Sequence, residues 1–191
     1  MRSNHAHANI QSIYTDAARA LPGVVAVWSA ADIADVPPID FREGPIERLA
    51  PYRQPVLAVH KVRYVGEPIA AVFATDPYIA EDAADLVTVR VEELPAVLSP
   101  EGEPSEFSFG RNTEAALLTQ GYGDVDAVFA AARHVVELKL SVGRHSGVPL
   151  ETRGAIGRYD ASRGILGLHG AAKVPHRNKE LLARMRPCVL A

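Results

Sequence analysis

PVLAVHKVRYVGEPIAAVFATDPYIAEDAADLVTVRVEELP, residues 55–95, is the stretch on which the fold turns. Two apolar runs, residues 56–59 and 69–74, are parted by Tyr64-Val65-Gly66-Glu67-Pro68, a turn by composition. Asp76 is suited to cap a helix, and Pro77 to its first position, where a missing N–H costs nothing. Ile79, Ala83, Leu86 and Val87 share one face at helical spacing, while Glu81, Asp82 and Asp85 face outward. Val87, Val89 and Val91 then alternate with Thr88, Arg90 and Glu92, the pattern of a half-buried strand. The order strand, strand, helix, strand predicts an α+β unit whose small-residue helix packs close to its sheet.

Upstream, residues 10–14 predict a short strand, and Thr15 a cap for a helix over 16–21 that Pro22-Gly23 stops. Residues 24–28 predict a second strand, and Ser29 caps one further turn through Ile33. Residues 34–54 are a Pro-rich loop of mixed charge, in which Phe41, Tyr52 and Arg53 are candidates for a partner surface and a solvated excursion is the plainer expectation. Downstream, residues 99–113 have the composition of a linker. Asp124 predicts a cap for a helix over 125–133, with Val125, Val128, Phe129 and Ala132 on its apolar face. Residues 135–142 alternate as a strand with one buried face. Two more strands are expected at 155–159 and 165–169 around a turn at 160–164. A helix is expected from Pro175 through Met185, ending before Pro187.

The totals are those of ordinary globular material. The chain has 191 residues, 48% hydrophobic and 23% charged, with 20 basic and 23 acidic residues for a net charge of −3. That length accommodates one domain, or a domain and part of another. The charge is uneven: residues 144–191 hold nine Lys/Arg and three Asp/Glu, about +6, which leaves about −9 in front. Cys188 is the single cysteine, so neither a disulfide framework nor a multi-thiolate metal site forms within the chain. No apolar run reaches membrane-spanning length, and MRSNHAHANI lacks the apolar core of a secretory signal, so a cytoplasmic location is expected. The basic stretch at 173–186 has no interleaved aromatic residues, which argues against nucleic-acid binding.

In order along the chain, the motifs resemble a known family. KVRYVGEPIAAVFATD (61–76), the Ala-rich acidic helix after it and VRVEELPAVLSP (89–100) resemble the α/β hammerhead domain of molybdenum hydroxylase large subunits, the family of xanthine dehydrogenase, aldehyde oxidase and carbon monoxide dehydrogenase. A basic residue and the HAH of residues 5–7 before a strand, a short helix and PGV (22–24) resemble its opening motif. GDVDA (123–127) is similar to the helix that introduces its first cofactor-binding domain. VGRHSGVPLETRGAIGRYDASRGILGLHGAAKVPHRNKELLARM (142–185) is similar to the start of the molybdopterin-binding region, nearest in wording to carbon monoxide dehydrogenase-like subunits.

The resemblance implies an α+β fold: a hammerhead domain over 1–110, a linker over 111–122, and the start of a truncated molybdopterin-binding domain over 123–191. It implies a further strand before Met1. It stops after Met185, a pattern expected of a frameshift or premature stop. The family's glycine-rich GGGFG-type motif and its base, a glutamate, would lie further on. The implied activity is hydroxylation or oxidation of a small molecule such as an aldehyde, a purine or carbon monoxide, with oxygen drawn from water. The implied cofactor is a molybdopterin-type molybdenum cofactor in the full-length protein, with none expected on this chain alone. The implied partners are flavin and iron–sulfur subunits or domains and the remainder of the large subunit, with no nucleic acid and no membrane.

No residue is therefore assigned a catalytic, cofactor-binding or metal-binding role. His145 and Glu151, six residues apart across Gly-Val-Pro, are the cavity-lining candidates and the right types for an acid/base pair. The plainer expectation is that Glu151 pairs with Arg153 or satisfies buried backbone, and that His145 is a strand-end histidine. His5 and His7 would share a face on a strand and have the spacing to pair on a metal, yet no third ligand is nearby. His134, His169 and His176 are scattered with no ligand spacing, and His60 is expected to end an apolar strand as a turn residue. Gly121-Tyr122-Gly123 lacks the third glycine and preceding strand of a dinucleotide loop. The expected function is thus that of a fragment of a molybdenum-cofactor oxidoreductase large subunit, inactive alone. The alternatives are a non-catalytic docking module and one half of a split enzyme.

Overall fold

The computed structural model describes residues 1–39, 50, 53–99, 101, 120–143, 145, 147, 148, 150–185, and the backbone of 189 and 190. Phe41, Tyr52, Cys188 and most of the linker lie outside the described residues. The front half is built on β1 (Ala8–Tyr14), the central strand of a three-stranded antiparallel sheet. Its neighbours are the short β3 (Lys61–Val62) on one side and β5 (Thr88–Glu93) on the other. Ala8 pairs with both Val62 and Glu93, and a register shift between Ile10 and Ser12 kinks the β1–β5 ladder. A second sheet joins β2 (Val24–Trp28) antiparallel to β4 (Ala71–Ala74).

Two helices cover the second sheet. Helix α2 (Pro77–Asp85) starts as its sequence dictates: the Asp76 carboxylate accepts from the Tyr78 N–H at 2.8 Å, and Pro77 takes the first position. It packs against β4 and against α1 (Asp16–Arg19) through Ala83 and Ala18, both fully buried with Val27, Ala70 and Val87. Alanines at the contact let the helix lie close to the strands, and Gly23 is part of that approach. A Cβ at Gly23 would stand 2.7 Å from Ile79 Cδ1, and its φ of +92° is a conformation L side chains rarely adopt. Ala8, Ala58, Val62 and Ile69 form a second buried cluster, and Met1, Ile13 and Val89 pack against both, joining them into one interior.

Several local expectations shift. The first strand of the opening stretch falls at Lys61–Val62, while residues 56–59 bend, burying Leu57 and Ala58. The Ala58 N–H donates to the Pro68 carbonyl, which ties that bend to the turn instead of to a ladder. Helix α1 ends at Arg19, not residue 21. The Thr15 side chain does not cap it: the residue's backbone is near-helical, at φ −117° and ψ −4°, where a capping residue is extended, and its Oγ1 accepts from Arg19 Nε at 3.1 Å. Leu86 lies beyond the last turn of α2 and is exposed. At the turn over Ala30–Ile33 the Asp32 carboxylate accepts from both the N–H and the hydroxyl of Ser29, at 2.7 and 2.9 Å.

The second half is different in kind. Helix α3 (Val125–Ala131) is capped by Asp124, whose carboxylate accepts from the Ala127 N–H at 2.9 Å, but it is shorter than expected because Ala132 is extended. Its apolar face is exposed. Residues 135–142 form no ladder, and Val136, Leu138, Leu140 and Val142 are 74–89% exposed. The expected buried strand is therefore not formed among the described residues. Alternation supplies a face, and none of the described residues lies against it. The hairpin of β6 (Ala155–Asp160) and β7 (Ile165–Gly170) does form, with Asp160 Oδ1 accepting from Ser162 N, Ser162 Oγ and Arg163 N across its turn. Strand β8 (Val189–Leu190) runs parallel to β7, and α4 spans Pro175–Met185 as expected.

One buried group was not singled out by the sequence. Glu67 is 2% exposed, and its Oε2 accepts from the Arg63 N–H at 2.6 Å, drawing the 63–67 turn onto the carboxylate. Glu67→Ala should strand that amide and lower stability by about 1–3 kcal/mol, with Glu67→Gln recovering much of it, as read from urea unfolding midpoints. Asp32 supplies a pH signature. The Ser29 N–H and hydroxyl hold its carboxyl below the usual range, so its contribution is present above the ordinary carboxylate pKa and is lost as pH falls through the depressed folded value. Asp32→Asn should flatten that acid-side fall, measured by unfolding between about pH 5 and about pH 2.

Candidate functional site

The sequence directs attention to the loop between residue 142 and β6. The structure leaves both candidates in it, His145 and Glu151, exposed, and no hydrogen bond or ion pair joins Glu151 to His145 or to Arg153. Neither the acid/base pair nor the expected Glu151–Arg153 pair is assembled among the described residues. Between them Val148 takes φ +27°, an unusual backbone conformation for a β-branched residue. Around them Leu150 and Ile156 are exposed, so the loop has polar groups of suitable type and no apolar wall among the described residues.

The two N-terminal histidines are placed clearly. His5 and His7 precede β1 and do not share a strand face. His5 Nδ1 lies 2.9 Å from Glu93 Oε1, and His7, buried, directs Nδ1 at the Pro95 carbonyl at 2.8 Å. Since a carbonyl only accepts, His7 carries its proton on Nδ1. No group of three or more His, Cys, Asp or Glu among the described residues is arranged to hold a metal ion. Among them, too, no helix is long and apolar enough to cross a membrane.

Comparison with known proteins decides the affiliation. Residues 1–95 match the model of the aldehyde oxidase and xanthine dehydrogenase a/b hammerhead domain, and residues 109–187 match the molybdopterin cofactor-binding domain. The chain belongs to the molybdenum hydroxylase large-subunit family. It is 40% identical to the gamma subunit of the 6-hydroxypseudooxynicotine dehydrogenase complex of Paenarthrobacter nicotinovorans, over 97% of this chain and 24% of that one. It is 34% identical to the carbon monoxide dehydrogenase large chain of Afipia carboxidovorans, over 92% and 23%. Among solved structures it resembles quinoline 2-oxidoreductase from Pseudomonas putida 86, with a TM-score of 0.75 at 36% identity over 97% of this chain and 24% of that one. The chain thus spans about a quarter of the length of these relatives, one of which is named as a subunit of a complex and another as a large chain.

A molybdopterin needs an enclosing, donor-lined cleft. Within the described part of residues 120–185, the segment 143–154 is exposed throughout and His145 and Glu151 do not converge, so these residues do not by themselves fit the group. They support no chemical step through it. Both side chains stand clear of the fold's interior. His145→Ala and Glu151→Ala should each change the chain's stability by less than about 0.5 kcal/mol, measured by thermal unfolding, and a larger loss would place them in a structural role.

Proposed function

We propose that this chain is the front support of a molybdenum-cofactor oxidoreductase large subunit. In this reading residues 1–110 are the hammerhead domain, residues 111–122 its connection, and residues 123–191 the beginning of the cofactor domain. The observation that carries it is a pairing. Nearly the whole chain matches about a quarter of each of the relatives named above, and its second half presents an apolar strand-like segment with none of the described residues over it. The full-length enzyme oxidises or hydroxylates a small molecule with oxygen from water, and the molybdenum cofactor supplies that chemistry when bound. The remainder of the large subunit provides the base and the glycine-rich motif. Flavin and iron–sulfur subunits or domains carry electrons away, in the cytoplasm, without nucleic acid or membrane as partners. His145 and Glu151 line the cavity once that remainder covers them. The choice among aldehyde, purine, N-heterocycle and carbon monoxide belongs to the other three quarters.

A second reading, a docking module without chemistry, is favoured by the two buried clusters of residues 1–99, which among the described residues include none from the second half. One experiment separates the two. Hydrogen exchange is measured on the 191-residue chain alone and with a polypeptide corresponding to the downstream part of a relative's large subunit. The oxidoreductase reading expects residues 135–142 to exchange rapidly alone and to become protected in the mixture. Protection that appears only over residues 1–99 supports the docking module. Uniform protection of the chain alone, with one sharp unfolding transition, would sink the support reading.

A further inference from the structure

The HAH of residues 5–7 takes no part in the proposed site, and its geometry points elsewhere. We propose that it is a two-point clasp that fixes the path by which the chain leaves β5 for its second half.

The need for a clasp arises at Pro95. The β1–β5 ladder ends at Ala8 opposite Glu93, and the Leu94 N–H still donates to the His7 carbonyl at 3.0 Å. Pro95 has no N–H, so backbone pairing cannot continue past it. Side chains take over at that point. His7 Nδ1–H donates to the Pro95 carbonyl at 2.8 Å from a buried position, and His5 Nδ1 meets Glu93 Oε1 at 2.9 Å on the exposed side. Both contacts bridge a sequence separation of 88 residues. The grip is anchored behind. The His5 N–H donates to Ser3 Oγ, and buried Ser3 is held by the 66–67 turn, its N–H donating to the Glu67 carbonyl at 2.9 Å and its carbonyl accepting from the Gly66 N–H at 2.7 Å. Further on, Glu101 Oε1 lies 2.6 Å from Lys139 Nζ, an exposed ion pair that adds little hold. The chain leaving β5 is therefore tied to the hammerhead by the two histidines. The clasp governs the chain's path and is independent of the catalytic reading.

The test is amide hydrogen exchange on the full 191-residue chain. His5→Ala and Glu93→Ala each remove the exposed contact without touching the interior, and each should speed exchange at the Leu94 amide, which donates to the His7 carbonyl, about fivefold, with β4 amides unchanged. His7→Ala should do the same more strongly. His7→Asn, which keeps a donor near Pro95, should recover part of the protection, a rescue that distinguishes the clasp from simple loss of a buried side chain. Unchanged exchange at Leu94 in both His5→Ala and Glu93→Ala would overturn the proposal. So would equal acceleration at Ala71–Ala74, which would show general loosening instead of release of the chain leaving β5.

Discussion

The front half rests on how closely α2 lies against the strands beneath it. Ala83 on α2 and Ala18 on α1 belong to one buried cluster, and both are excluded from water together with Val27 and Ala70. Gly23 admits Ile79 where even one added carbon would stand 2.7 Å from it. Small residues gain little from burial individually, so the benefit lies in what the close approach brings together. It seats Val87 at the start of β5, and that strand carries Val89 to the place where both clusters meet. If α2 were displaced outward, β5 would lose its starting point and β1 its longer ladder.

The parts legible in the sequence are those specified by a few adjacent residues. Asp76 and Pro77 announce the start of α2, Asp124 that of α3, and alternation at Val89 and Val91 marks β5, because cap and strand geometries are local. What sequence missed depends on partners far along the chain. Lys61–Val62 is a strand because β1 lies beside it, while the more apolar residues 56–59 bend to follow Pro68. Glu67 reads as a turn residue, yet burial makes it the acceptor that shapes that turn. The signal available was an acid set between Gly66 and Pro68 in an otherwise apolar stretch. Thr15 was a sound cap by type, but its backbone is near-helical and its oxygen accepts from Arg19 four residues on.

The candidate site was legible only as residue types. His145 and Glu151 are the right groups for acid/base work, but a site is made by convergence and exclusion of water, neither of which spacing encodes. Their separation from each other and from any apolar wall follows from the same cause as the exposure of residues 135–142. Both lie in the half that no described layer covers, in a chain that spans a quarter of a large subunit.

Magnitudes indicate what such a layer must supply. Burying Val136, Leu138, Leu140 and Val142 contributes roughly 6–12 kcal/mol at about 1.5–3 kcal/mol per side chain. Ordering the eight residues that carry them costs about 8–16 kcal/mol in backbone entropy at about 1–2 kcal/mol each. Apolar contact on one face therefore comes close to break-even and does not fix the strand. Hydrogen bonds along its edges tip the balance, since they satisfy the same N–H and C=O groups that burial would otherwise strand. A covering layer that is only greasy would leave residues 135–142 without a fixed conformation. One that also pairs with their backbone would order them, and with them the loop that carries His145 and Glu151.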